Sequence, residues 1–159
     1  MRNDPGRLTR FWLDGVLRSG LAVEEYVETV GVIAHAVAVD TFARALGLPL
    51  LPLPEPIAGA PTRQRPAGAR PGGAWVPWLE PEDVTEAEAG LYPGYRPPAN
   101  IRKALSLVPA EATSFFELCE EQYLPGAGMR QFDREFRAIT HAQIELLAAR
   151  VSALNRCRY

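Results

Sequence analysis

The chain has 159 residues and a mass of 17.5 kDa, the size of one domain. Apolar residues make up 47% and charged residues 23%. A balance of 17 Lys and Arg against 19 Asp and Glu excludes a disordered chain and a polybasic nucleic-acid binder. Two cysteines exclude a disulfide scaffold, no unbroken apolar run reaches ~18 residues, and Met1 to Pro5 lack an apolar signal region; neither membrane span nor signal peptide is expected, and the location is expected to be cytoplasmic.

Asn3 or Asp4 is expected to cap a first helix beginning near Pro5, with Leu8, Phe11, Trp12 and Val16 on one side and Gly20 as its stop. A longer helix is expected from Val23 to Leu46, with Glu24, Glu25 and Glu28 at the positive end of its dipole and Gly47-Leu48-Pro49 ending it. Its middle, Val30 to Val39, is apolar on nearly every face, which predicts burial, centrally or against another subunit. His35 within it is read as a partly buried, hydrogen-bonded side chain rather than a ligand. With His141, Cys119 and Cys157 at unrelated spacings, no zinc site is expected.

Twelve prolines and seven glycines fall between Gly47 and Pro98. The chain therefore divides into 1–47, a proline-rich connection over 48–98, and 99–159. The core left to the helical pieces is small for a free-standing globule, so a partner surface or further sequence is expected. Leu50, Leu51 and Leu53 among prolines should be extended and could lie along a groove of the helical body. Residues 59–73 read as the most mobile part. Trp75 and Trp78 are expected to dock, Glu80, Glu82, Asp83, Glu86 and Glu88 to be solvated, and 82–89 to form one short helix.

Asn100 is expected to cap a short helix through Leu107, and Pro109 to start the next, which carries Phe115, Phe116, Leu118, Cys119 and Tyr123 and ends at Pro125-Gly126. Cys119 is read as a core residue. Phe132 and Phe136 suggest a further helical segment. The last helix has a capping box, Thr140 to Gln143, and one apolar face of Ile144, Leu147, Val151 and Leu154. Were it unbroken to residue 157, Glu145 and Cys157 would lie about 18 Å apart. If Asn155 caps a new helix, Cys157 enters its first turn, where free amides favour a thiolate.

The stretch from Ala142 to Tyr159 resembles the helix and turn before the redox motif of the alkylhydroperoxidase D-like and carboxymuconolactone decarboxylase-like superfamily. Ile101 to Pro109 and Phe115 to Leu118 fit the same pattern. Residues 1–47 resemble the helical end of a first repeat in two-repeat members, and 99–159 the N-terminal helices of a second. The resemblance implies an all-α fold, an incomplete helical bundle of that type with a long proline-rich connection. It implies a peroxide-reducing oxidoreductase that uses a hydroperoxide and a thiol reductant, with no cofactor and no metal. It also implies a homo-oligomer or the remainder of a split protein as partner; neither nucleic acid nor membrane is expected, from the charge balance and the short apolar runs. Glu145 matches the family's proton-relay glutamate and Cys157 the first cysteine of Cys-x-x-Cys. The sequence ends at Tyr159, one residue before the second cysteine would fall, and it lacks the histidine that follows. The chain is accordingly expected to be a fragment, inactive or nearly so alone. Two non-enzymatic alternatives are a helical oligomerisation module joined through the apolar helix at 30–39, and a ligand-binding module with the Trp75/Trp78 segment as its lid.

Overall fold

A computed structural model describes residues 7–60, 64–93 and 98–155 of the chain. Among the described residues the named elements are five α-helices and three short 3-10 turns, and the only β pairing is one bridge between Arg70 and Trp78. The fold class is all-α. Two compact units divide between Leu118 and Cys119, inside the fourth helix.

In the first unit, α1 spans Arg10–Arg18 and α2 Val23–Ala45. The cap of α1 is Thr9, whose hydroxyl accepts from the Trp12 amide at 3.2 Å; the expected caps Asn3 and Asp4 lie outside the described residues. Leu13 is the buried residue of α1, and Phe11, expected on the inner side, is 80% exposed. Gly20 stands at φ 102° and ends α1 as expected. At the end of α2, Gly47 (φ 70°) donates to Arg44 O and Leu48 to Ala43 O, the paired bonds that close a helix through a left-handed residue.

Of α2, only Val27 and Gly31 are buried, so the apolar middle is not buried centrally within the chain. Among the described residues α2 is the one helix long and apolar enough to cross a membrane; Glu28 and Asp40 interrupt the run, which a count of consecutive apolar residues therefore missed. Its His35 is tied to a neighbouring helix, as described below.

The core of this unit is Val27, Leu79, Leu91, Leu105, Leu107 and Ala112, drawn from α2, from the proline-rich connection and from the helices after it. Burying a leucine such as Leu79 or Leu107 contributes about 1.5–3 kcal/mol. The buried Ser106 hydroxyl accepts from the Leu79 amide at 2.8 Å and donates to Lys103 O at 2.7 Å, while Tyr92 donates to Leu79 O at 2.6 Å. The connection thus packs through its second half. Trp78 is buried as expected, whereas Trp75 remains 48% exposed. Arg70 and Trp78 exchange both backbone hydrogen bonds, and Pro66 is buried, so much of 59–73 belongs to the packed structure. In the acidic cluster Glu82 and Glu86 are exposed as expected, yet the cluster also carries structural contacts: Lys103 pairs with Glu80, Arg70 with Glu82 and Asp83, and Glu88 accepts from the Thr85 amide. It forms two 3-10 turns, Pro81–Asp83 and Glu86–Glu88, because Thr85 interrupts with its own cap. The leucines of 48–57 lie in no groove of the first unit and are exposed.

The helix expected from Asn100 to Leu107 is shorter: α3 is Asn100–Lys103, its cap is Ala99, and turns follow so that Leu105 and Leu107 can face the core. Then α4, Pro109–Gln122, begins at its proline as expected.

The second unit holds the end of α4, a 3-10 turn at Gly126–Gly128, and α5, His141–Leu154. The segment with Phe132 and Phe136 is irregular, not helical; Phe132 stacks on His141 at 5.0 Å, and Phe136 presses against Gly128, where a Cβ would sit 2.8 Å from the ring. Cys119 is a half-buried thiol rather than a core one.

Candidate functional site

The residues that cluster in the second unit are Tyr123, just after α4, and His141 and Glu145 on α5. The capping box fixes where α5 starts: Thr140 accepts from the Gln143 amide at 3.2 Å, and Gln143 accepts from the Thr140 amide at 2.8 Å. His141 is then the first helical residue, and Glu145 follows one turn later on the same face. Arg137 fastens the loop to the end of α4 by donating to the carbonyls of Glu120, Glu121 and Tyr123 at 3.1–3.3 Å, which satisfies acceptors the helix leaves open.

The Tyr123 hydroxyl donates to Glu145 Oε1 at 2.8 Å. Burial, then the hydrogen bond and charge of Glu145, push the Tyr123 hydroxyl up to about 12, so it holds its proton. On the same carboxylate oxygen, His141 Nε2 approaches to 3.4 Å. His141 is 2% exposed, its Nδ1 lies 3.2 Å from Gln131 O, and its Nε2 has no hydrogen-bond partner. Its backbone amide donates to Glu135 at 2.6 Å. The Glu145 side chain is 41% exposed. One carboxylate, reachable from solvent, is therefore held by a phenol and approached, without a hydrogen bond, by a buried imidazole, a geometry suited to accepting and returning a proton.

Tyr123 also forms part of an apolar groove of about 710 Å³ on the second unit, with Ile139, Ile144, Leu147 and Val151. Of the expected site residues, Glu145 lies on α5 as read from sequence. Cys157 lies outside the described residues. The helix stops at Leu154, with Asn155 closing it, so the unbroken 145–157 helix does not form. Tyr123 was not singled out from sequence, and His141 was weighed only as a zinc ligand; the i, i+4 spacing of His141 and Glu145 was the available signal for its place here, and nothing local marks Tyr123.

A second cluster lies in the first unit. His35 Nδ1 is 2.8 Å from Gly31 O, Nε2 is 3.1 Å from Ser114 Oγ, and the ring packs edge-on against Phe115. Glu111 Oε2 lies 3.8 Å from Nδ1, and burial raises the Glu111 carboxyl while His35 opposes that shift. This is the hydrogen-bonded, partly buried histidine expected from sequence, and it braces α2 against α4. Among the described residues no group of three or more His, Cys, Asp or Glu side chains is placed to hold a metal ion.

No family model, curated protein or solved structure matches the chain.

Proposed function

We propose that the chain carries the acid–base part of a thiol-dependent peroxide-reducing site of the alkylhydroperoxidase type, in an incomplete helical bundle of that kind, with Cys157 as thiol and Glu145 as its proton partner. The observation that supports this reading is the Glu145 carboxylate, open to solvent yet held by Tyr123 and faced by His141. In the proposed step Glu145 takes the thiol proton, and the thiolate attacks the hydroxyl oxygen of a hydroperoxide. The O–O bond breaks, sulfur is oxidised to sulfenic acid, and the leaving alkoxide receives the proton back from Glu145. An external thiol then condenses with the sulfenic acid and releases water, and a second external thiol reduces the mixed disulfide.

In this reading turnover depends on those external thiols. The test is the oxidation stoichiometry under hydrogen peroxide alone. One fast equivalent per chain, lost in Cys157→Ser, supports the reading. Oxidation unaffected by Cys157→Ser contradicts it.

A second reading, a helical assembly module without chemistry, is favoured by a different observation: seventeen large apolar side chains are exposed among the described residues, against ten in the buried apolar core.

A further inference from the structure

Two of those exposed apolar surfaces match in length and in charge. The first is the arm over 48–57, after the left-handed Gly47. Leu50, Leu51, Leu53 and Ile57 are 41%, 73%, 88% and 96% exposed. Pro49, Pro52, Pro54 and Pro56 lack amide hydrogens, so the arm can join neither a helix ladder nor a sheet interior. It is suited to the one recognition mode that needs neither, an extended proline-rich strand laid in an apolar groove with an aromatic wall. The second surface is the α5 groove, with Tyr123 as its aromatic wall and Ile139, Leu147 and Val151 still 42%, 58% and 58% exposed.

We propose that the arm of one copy docks in the α5 groove of a second copy, reciprocally, to form a closed two-fold dimer. Lengths agree: the fourteen residues of α5 span about 21 Å and the seven from Leu50 to Pro56 about 22 Å in the extended proline conformation. Charges agree as well. The arm's one charged side chain is Glu55, and the groove is edged by Arg137. A reciprocal exchange covers both surfaces on both copies. With roughly 100 Å² of apolar area per side chain it buries on the order of 1,200 Å², the lower bound for a specific, stable interface. A foreign partner would cover only one of the two surfaces, whereas a second copy covers both and closes the assembly without leaving a free end. This inference is independent of the thiol chemistry.

The test is the mass of the whole chain in solution by sedimentation equilibrium, for the wild type, an arm variant (Leu51→Asp with Leu53→Asp) and a groove variant (Val151→Asp). The expected results are a dimeric wild type, each variant alone at least 10-fold weaker in association, and a mixture that associates more tightly than either variant alone but more weakly than the wild type, since it restores one of the two arm–groove contacts. The arm residues are exposed, so the arm variant tests the proposal even if the groove variant loses helicity by circular dichroism. A monomeric wild type, an arm variant that remains dimeric, or a mixture of the two folded variants that associates no more tightly than either alone would each overturn the proposal.

Discussion

His141 Nε2 stands 3.4 Å from Glu145 Oε1, one turn along α5, buried and without a hydrogen bond, while Nδ1 of the same ring faces the Gln131 carbonyl. A carbonyl oxygen only accepts, so Nδ1 carries hydrogen. A neutral ring then turns its Nε2 lone pair toward a carboxylate oxygen. A proton on Nε2, or on Glu145, converts that approach into a hydrogen bond. Nitrogen-detected NMR of His141 is therefore expected to show hydrogen on Nδ1 in every state. A ring with hydrogen on Nε2 alone would contradict the assignment.

Tyr123 supplies the pH dependence. Its hydroxyl ionises at about 12 in the folded chain against 10.0 ordinarily, so the folded state holds the proton more tightly than the unfolded one. The stability from this contact is fully present below pH 10 and is lost as pH rises through about 12. In Tyr123→Phe the unfolding midpoint should fall less steeply over that window, and the highest step of the tyrosine absorbance titration should vanish. An unchanged titration would place that step on another tyrosine.

Ser106→Ala is expected to cost about 1–3 kcal/mol, because it strands the buried Leu79 amide. The check is urea denaturation at constant slope.

Two glycines should respond differently to alanine. At Gly72 a Cβ would clash with Trp78 Nε1, on a ring fixed by burial and by its bond to Glu80, so Gly72→Ala should destabilise by about 1–3 kcal/mol. At Gly31 the nearest atom is Glu111 Oε2, the end of a flexible side chain, but Glu111 Cβ is also close at 2.9 Å. A helical alanine gains about 0.5–1 kcal/mol, so Gly31→Ala should cost less than Gly72→Ala. Thermal unfolding of both variants checks the order.

Helix ends were the legible part of the fold. Gly20, Gly47, Pro109 and the Thr140–Gln143 box each act through their own backbone geometry or side chain, so each end falls where the residues put it. Packing was legible only in part. Whether Leu13 or Phe11 turns inward depends on where α1 begins, and Thr9, not an earlier residue, sets that. The proline-rich connection looked uniform, yet 64–93 is packed by contacts from afar, Ser106 to Leu79 and Lys103 to Glu80, that no local pattern encodes. Glu145 was found through its family-like context, whereas Tyr123 reaches it from 22 residues away, a distance that periodicity does not bridge.

The proposed role of Glu145 is to manage the proton of Cys157. Its most direct test is the rate at which Cys157 is trapped as sulfenic acid under hydrogen peroxide, followed by mass, in the wild type and in Glu145→Gln. A loss of about 10²-fold or more is expected in the variant, the scale of a removed general acid–base, with the helical content unchanged. Equal rates in the two proteins would contradict it.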